Sequence, residues 1–342
     1  MRYYSIVVTN VSNTPEKTGV YKTYNSQIRA TGQPDMGALN VELDLPVTVY
    51  ALAENTASVR IWGISLDDIT QSANMIGMQM DVFGGMQKGL PLANPQQAGL
   101  LLHGRIFQCF SNWIGNAMTL DFVVSANIGS VDFAANIVLN WEKGQKLADA
   151  LTATLTTAYP DFTIDESVLN INENLVLPND EPGYFATLTQ FSQYIKTLSK
   201  AIINQPDYNG VDIKISGSTL YIYDSAIGKQ PKKILFTDLI GQPARIDSVT
   251  IQLYLAMRGD IQIGDLITLP VTPLITTPAS LSQFPVANRN GSIFQGTFFV
   301  QKIRHVGNFR SPNPLDWMTI IDCSTYMPKK QKTATVTIGA LE

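Results

Sequence analysis

The spacing of apolar residues changes twice along this chain of 342 residues, and this change limits the fold more than any single motif. Near the start, Val41, Leu43 and Leu45 alternate with polar neighbours, which is the two-residue period of a half-buried strand. Beyond Trp141 leucines recur every four residues, and after Pro231 the two-residue period returns. The sequence therefore predicts two β regions separated by an α/β region.

Two helices and a hairpin are predicted in the middle region. Leu147, Leu151 and Leu155 fall four apart and Pro160 ends the pattern, which indicates a helix. The hairpin is predicted from VDIKISGSTLYIYD, residues 211–224, where two alternating runs flank a Gly-Ser turn. A second helix, which needs this hairpin as a packing partner, is predicted from apolar residues spaced three and four apart, namely Leu188, Phe191, Ile195, Leu198 and Ile202.

Charge and cysteine content exclude several function classes. The 24 basic and 28 acidic residues give a formal charge of −4, so there is no electrostatic reason to expect tight binding to nucleic acid or anionic lipid. Cys109 and Cys323 are far apart and lack CxxC spacing, so neither a disulfide framework nor a zinc site is predicted, and a reducing cytosol is the simplest setting. No signal peptide and no stretch of about 18 apolar residues is present, so we expect a soluble chain without export or membrane insertion.

One hairpin-like segment occurs twice. LHGRIFQCFSNWIGNAMTLDFVVSA begins at Leu102, and FVQKIRHVGNFRSPNPLDWMTIIDCSTY begins at Phe299. We interpret the likeness as an internal duplication, and a chance similarity between two hairpins is the alternative. Each copy contains a turn with Asn, a Trp and a Met-Thr dipeptide, at Asn112, Trp113 and Met118 in the first and at Asn308, Trp317 and Met318 in the second.

Residue patterns for catalysis and for metal or cofactor binding are weak. Ser324, His305 and Asp322 can be written as a triad, but no GxSxG turn surrounds the serine. Asp180 and Glu181 lack the spacing of a calcium loop and are typical of a turn. Phosphate-binding glycine loops and HExxH are missing. We therefore predict no catalytic, cofactor or metal site and expect that the chain is not an enzyme.

Several segments, taken in order, resemble phage tail proteins. MQMDVFGG, a polar loop, GLLLHGRIFQC and MTLDFVVSAN together resemble the tail-tube-type barrel of bacteriophage tails. Residues 137–224, with WEKGQKLADALTATL and a hairpin ending IYD, are similar to the α/β insertion of baseplate hub proteins. ARIDSVTIQLYLAMRGDIQIGDLITL from Ala244, followed by the segment from Phe299, resembles the second barrel of those hubs.

The resemblance implies a mainly β fold with an α/β insertion, in which two tail-tube-like antiparallel β-barrels flank a small α/β domain. The expected divisions are residues 1–129 for the first barrel, 130–230 for the insertion and 231–328 for the second barrel. Residues 329–342 are expected to form a C-terminal arm.

The same resemblance implies a function. The implied function is that of the structural baseplate hub of a contractile phage tail. Such a hub is a trimeric ring with a central channel, and it adapts the hexameric tail tube to the trimeric spike. The implied partners are two further copies, the tail tube protein, the central spike protein and neighbouring baseplate proteins, with DNA passing through the lumen without specific binding. The implied location is the virion tail baseplate, after assembly in the host cytoplasm. The alternative is a distal tail or receptor-binding module that docks host-surface sugars through aromatic clusters on its loops.

Five residues are predicted to contact partners. The long segment 271–292 is rich in proline and contains Phe284 and Arg289 as anchors, unless it is simply a mobile excursion. In the arm, Val336 and Ile338 are predicted to add a strand to a partner's sheet, unless its basic residues are only solvated. The fifth residue is Trp317, which is predicted either to pack in a core or to contact another subunit.

Overall fold

The computed structural model describes eighteen strands and three α-helices in the part of the chain that it covers. That part comprises residues 1–10, 19–28, 30–47, 56–87, 94–125, 136–160, 162–177, 179–205, 208–216, 219–224, 230–246, 250–270, 296–313 and 315–325. The helices are α1 (Leu66–Thr70), α2 (Leu147–Ala158) and α3 (Leu188–Ile203). The strands are β1 (Arg2–Asn10), β2 (Gly19–Asn25), β3 (Asn40–Val47), β4 (Thr56–Trp62), β5 (Gln79–Met86), β6 (Gly99–Ile114), β7 (Ala117–Ser125), β8 (Ile137–Trp141), β9 (Thr163–Ile164), β10 (Glu181–Phe185), β11 (Asp212–Ser216), β12 (Thr219–Tyr223), β13 (Lys232–Lys233), β14 (Ala244–Arg245), β15 (Thr250–Ala256), β16 (Leu266–Thr268), β17 (Thr297–Asn308) and β18 (Trp317–Thr325).

Both β regions belong to one mainly antiparallel sheet of 13 strands. Its order is β14-β15-β18-β17-β3-β4-β7-β6-β5-β1-β2, with β16 also pairing with β17 and β13 pairing with β16. The alternation seen in the sequence explains these strands, since Val41, Leu43 and Leu45 are all buried on one face of β3. The expected mainly β fold with antiparallel pairing is confirmed.

The predicted pair of tail-tube-like barrels is not confirmed by the described strands. β17 pairs with β3 from Ile303↔Val47 to Asn308↔Glu42, so the two β regions continue into each other. The described strands include no pairing that closes either region on itself. Sequence alternation defines which face of a strand is buried but not its neighbour, so it could not reveal this junction.

The two β regions nevertheless share one strand order. In the first, β4, β5, β6 and β7 lie in the order β4-β7-β6-β5, and in the second β15, β16, β17 and β18 lie in the order β15-β18-β17-β16. Each central hairpin also carries a single bulge in its first strand, at Phe107 and at Gln301. Thr119 and Thr319, from the two Met-Thr dipeptides, are both fully buried. These shared features support the interpretation of an internal duplication.

Two details of the proposed repeat are wrong. Asn112 and Trp113 lie within strand β6, and the turn comes later, at residues 115–116. Trp317 instead follows the connecting loop, as the first residue of β18. The two tryptophans are therefore not equivalent, because β6 extends for 16 residues and carries Trp113 past the sheet core.

The middle region folds as the periodicity predicts. Thr187 caps α3 through a hydrogen bond from the Gln190 amide at 3.3 Å, and Asn204 ends it in the left-handed region at φ 46°. α2 ends before Pro160, and β11 pairs with β12 as the predicted hairpin. The two helices and this hairpin enclose a separate core that includes Leu151, Leu155, Phe191, Ile195, Ile213 and Leu220.

The described residues contain three hydrophobic cores. One lies under β1–β7, one in the middle region and one under β15–β18. Two residues of the last third, Met257 and Trp317, belong to the first core. The two β regions therefore share interior packing as well as backbone pairing.

Candidate assembly surface

Trp317 is the one predicted contact residue that the structure describes, and it is buried. Its side chain is 2% exposed, its Nε1 donates to the Gly85 carbonyl at 2.9 Å, and its ring meets Phe309 edge-on with centroids 6.1 Å apart. The structure therefore places Trp317 in the core rather than on a free surface. Phe284, Arg289, Val336 and Ile338 lie outside the described residues, so their roles remain predictions.

Four exposed apolar residues lie in the second half of β6, and sequence reasoning did not select them. Phe107, Phe110, Trp113 and Ile114 are exposed by 66%, 44%, 71% and 47%. Because side chains alternate along a strand, Phe110 and Ile114 lie on the outer face of β6, whereas Trp113 lies on the same face as Cys109, beyond the core. We call these four residues the hairpin patch.

A bulge explains how the hairpin patch forms. Ile106 pairs with Val124 and Gln108 with Val123, so Phe107 is an extra residue without a partner of its own. The bulge places Phe107 outside the sheet beside Phe110, while Cys109 still packs in the core. The period-two pattern of the sequence breaks at Phe107, and this irregularity was the available signal.

Next to Phe110 the outer face of the sheet carries charged side chains in a cross-strand network. Arg60 pairs with Asp121, which also accepts hydrogen bonds from Asn112 and Thr119, each at 3.1 Å. A cavity of about 350 Å³ opens here and is lined by three carboxylates, those of Glu42, Asp44 and Asp121, and by one cation, Arg60, among other residues of the same strands. Arg60 pairs with Asp121 and Arg304 pairs with Asp44, so two of the three carboxylates already have a cation partner.

A buried ion pair of the second β region contacts the first region through Gln97. Arg258 Nη1 donates to Asp238 Oδ2 at 3.0 Å, and both side chains are about 5% exposed or less. Asp260 accepts from Arg258 Nε and Nη2 at 2.7 Å each. Gln97, from the first region, donates to Asp238 Oδ1 at 3.0 Å. The network fixes the loop before β6 against the second region.

Two glycines allow the backbones to meet beside this ion pair. The Gly259 amide donates to the Gln97 carbonyl at 2.9 Å. A Cβ on Gly259 would lie 2.6 Å from the carbonyl carbon of Gly99, which no side chain tolerates. The close approach explains the glycine at position 259, whereas a Cβ on Gly99 would lie 3.2 Å from the Gly259 backbone, a tight contact that a small shift relieves.

Two arginines attach the β17–β18 loop to the first region. Arg2 Nη1 donates to the carbonyls of Asn308 and Ser311, both at 2.6 Å. The Arg310 amide donates to Asn40 Oδ1 at 3.0 Å, and its guanidinium donates to the Met36 and Ala38 carbonyls. Guanidinium groups suit this role because they carry several donors in a fixed fork. These contacts hold the loop against β1 and β3.

Lys214 connects the middle region to the second β region. Its Nζ donates to Gln262 Oε1 at 3.0 Å and to the Ile263 carbonyl at 3.2 Å. Burial lowers the pKa of Lys214 to about 8, with Asp265 raising it and Lys232 lowering it further. The lysine therefore joins the two regions through the neutral acceptors of Gln262 and Ile263.

The residues of the considered triad are engaged separately. His305 Nδ1 lies 2.9 Å from Thr319 Oγ1, and Asp322 accepts from the Gln252 amide at 2.9 Å. The Ser324 hydroxyl is buried and has no hydrogen-bond partner in the described part of the chain. The triad geometry, in which the histidine bonds both the serine and the acid, is therefore not formed.

His305 predicts a loss of stability in acid. Burial lowers its pKa to about 3, whereas an unfolded histidine titrates near 6.5. As the pH falls, the unfolded chain therefore takes up the proton first. The contribution of neutral His305 to the free energy of unfolding is complete above about pH 6.5 and is lost toward pH 3, at up to about 1.4 kcal/mol per pH unit. Histidine-selective NMR of the folded chain should show His305 still neutral at pH 5. Titration of His305 near pH 6.5 in the folded chain would contradict this, and the urea-unfolded chain is the control.

Asp180 and Glu181, which were examined as calcium ligands in the sequence, both accept hydrogen bonds from the protein. Asp180 Oδ1 accepts from the Lys143 amide at 2.7 Å, and Glu181 accepts from the Tyr194 hydroxyl. Within the described ranges, no three metal-ligating side chains are grouped in a way that could hold an ion. Among the helices of those ranges, none has the length and apolarity needed to cross a membrane.

No family model matches the sequence, and no curated protein matches it. Solved structures do match. A chain of the PdpA–VgrG complex in its lidless form is 7% identical, with 96% of this chain and 67% of that chain covered and a TM-score of 0.50. The tail protein from Neisseria meningitidis MC58 is 9% identical over 94% and 96% of the two chains, with a TM-score of 0.48. An E. coli component of the type VI secretion system, described as similar to the T4 bacteriophage tail proteins gp27 and gp5, is 9% identical over 84% and 73%, with a TM-score of 0.48.

At such low identity a match shows a similar fold and no more. The conclusion on the fold rests on the PdpA–VgrG match, which has a TM-score of 0.50. This chain shares its fold with a chain of the PdpA–VgrG complex. The resemblance to baseplate hub proteins noted in the sequence is thus confirmed as a resemblance of fold.

Proposed function

We propose that this chain is a structural baseplate hub of a phage tail. Three copies would form a ring around a central channel and adapt the hexameric tail tube to the trimeric spike. The partners would be the tube protein, the spike protein and neighbouring baseplate proteins, and DNA would pass through the channel without specific binding. The site of action would be the virion tail, after assembly in the host cytoplasm.

The observation that carries this proposal is the strand order that occurs twice, β4-β7-β6-β5 and β15-β18-β17-β16. A chain with two similar tube-like units can present six similar positions when three copies form a ring. The same ring keeps threefold symmetry where the two units differ. The rigid connections between the units support the proposal, because a symmetry adaptor must hold both units in a fixed relation. Those connections are the β3–β17 pairing and the Arg258 network.

The mass of the purified full chain tests the proposal. We expect a species of three copies by native mass spectrometry, and we expect it to bind the tube and spike proteins encoded with it. Obligate rings bury about 2,000 Å² or more per interface, so the trimer should persist on dilution. A stable monomer that binds neither partner would overturn the proposal.

One observation favours the alternative of a sugar-docking module. Trp113, 71% exposed, lies next to the turn of the β6–β7 hairpin, and exposed aromatic rings suit contact with sugar faces. A glycan array probed with the full chain separates the two functions. Saturable saccharide binding that Trp113→Ala abolishes would support the alternative, and its absence would support the hub.

A further inference from the structure

Few contacts attach the middle region to the β regions. In the described residues its strands form two small sheets of their own, β8 with β10 and β9 with β11 and β12, and none pairs with the 13-stranded sheet. Two hydrogen bonds between described residues join the middle region to a β region, and both come from Lys214, to Gln262 and to the Ile263 carbonyl. The two β regions, in contrast, share strand pairing and a core. The middle region is therefore the most weakly attached part of the described fold.

The contact is made by one face of the β11–β12 hairpin. Lys214 on β11 pairs with Tyr221 on β12, and its Nζ lies 5.8 Å from the centre of that ring. Tyr223 follows on the same face and packs in the core under β15–β18, with its ring centroid 6.2 Å from that of Phe299. We call Lys214, Tyr221 and Tyr223 the docking face.

The docking face leaves polar groups poorly compensated. Lys214 donates to neutral acceptors, while the nearby Asp265 carboxylate accepts from Lys232 and from the Gln262 amide, each at 2.7 Å. The Tyr223 hydroxyl is buried and has no hydrogen-bond partner in the described part of the chain. A polar group that loses water without a full replacement opposes burial. Apolar packing thus favours docking, whereas the lysine charge and the tyrosine hydroxyl oppose it.

The charge of Lys214 connects this contact to pH. Three groups face its amine: Asp265 from the turn at residues 261–265, Lys232 from β13 and Tyr221 from β12. Burial lowers the pKa of Lys214 from 10.5 to about 8, with Asp265 raising it and Lys232 lowering it. In an undocked position the amine returns to water and to its ordinary pKa.

The direction of the pH effect follows from these two pKa values. Between about pH 8 and pH 10.5 the docked lysine has lost its proton and the undocked lysine has kept it, so a rise in pH favours the docked position. Below about pH 8 the lysine is charged in both positions, and docking is weakest.

We propose that the middle region is a movable module that docks on the second β region through the docking face, and that a proton on Lys214 shifts it toward an undocked position. The module would move as one body, because its core is separate from the other two. The β3–β17 pairing would meanwhile keep the two β regions fixed to each other.

Distances between two spin labels in the full chain test the proposal. One label is placed at Thr156→Cys, exposed on α2, and the other at Gln242→Cys, exposed in the second β region. The native Cys109 and Cys323 are buried, and the chain without added cysteines is the labelling control. Labelled chain is diluted with an excess of unlabelled chain, so that pairs between copies do not contribute. We expect two distance populations, with the ratio of docked to undocked chains rising about 25-fold between pH 7 and pH 9.5.

Four variants identify the group responsible. Lys214→Met keeps the apolar stem without the charge, so this chain should stay docked at both pH values. Lys214→Arg keeps its charge at pH 9.5, so its docked fraction should not rise. Tyr223→Phe removes the unpartnered hydroxyl and should raise the docked fraction at pH 7. Lys146→Met removes an exposed lysine of the same region and, as the matched control, should keep the response of the unaltered chain.

The pH response decides the proposal. A response that Lys214→Met and Lys214→Arg abolish and Lys146→Met retains would support it. A single distance population at both pH values, populations that do not change with pH, or a response that persists in Lys214→Met would overturn it. The result is independent of the proposed hub, since the distances are measured within one chain whatever its number of copies.

Discussion

Trp317→Ala is expected to lower the free energy of unfolding by about 3 to 5 kcal/mol, the usual range for removing a buried aromatic side chain. The ring fills the first core, and its Nε1 bonds to the Gly85 carbonyl. It also lies against Gly307, where an added Cβ would come within 2.7 Å of the ring. The substitution would therefore leave a cavity and remove a hydrogen bond to the Gly85 carbonyl. Urea denaturation followed by circular dichroism measures the loss.

Trp113→Ala is the matched control, since Trp113 is the tryptophan of the other hairpin. It is 71% exposed, and its Nε1 bonds to the nearby Gly115 carbonyl at 2.9 Å. We expect its replacement to change the free energy of unfolding by less than about 0.5 kcal/mol. Similar small effects at both tryptophans would contradict the assignment of Trp317 to the core.

The two tryptophans also show what the sequence can and cannot predict. Local patterns around Trp113 and Trp317 look alike, with Met-Thr nearby in both, yet one ring is exposed and the other buried. The difference arises because Trp317 packs against Gly85, which is 232 positions away in the chain. Sequence periodicity predicts which face of an element is buried, but it carries no information on such distant contacts.

The elements themselves were predictable where the periodicity is local. The helix around Phe191 and Ile195 and the hairpin of β11 and β12 follow directly from the spacing of apolar residues. The candidate assembly surface was not predictable in this way. The hairpin patch depends on a bulge at Phe107 and on β5 ending its pairing early, and both are properties of strand pairing.

Arg258→Ala is expected to lower the free energy of unfolding by about 3 to 5 kcal/mol, because it leaves a buried carboxylate without its cation. Asp238 would keep hydrogen bonds from Gln97 and from the Leu235 amide, both at 3.0 Å, but no compensating charge within the interior. Asp260 would lose two bonds of 2.7 Å. Urea denaturation of the full chain near neutral pH provides the measurement.

Arg304→Ala provides the comparison, because Arg304 also makes a two-bond pair with a carboxylate, that of Asp44, at 2.7 and 2.6 Å. The two side chains of this pair are 50% and 43% exposed, so water replaces the lost partner and the expected cost is about 0 to 1 kcal/mol. A double variant, Arg258→Met with Asp238→Asn, removes both buried charges and should cost less than Arg258→Ala alone. If the double variant loses more free energy of unfolding than Arg258→Ala, the attraction within the Arg258–Asp238 pair stabilises the joint between the two β regions. In that case the loss does not come from an unpaired, buried Asp238. The ranking of these three variants thus decides whether burial or pairing controls how firmly the two units are held together.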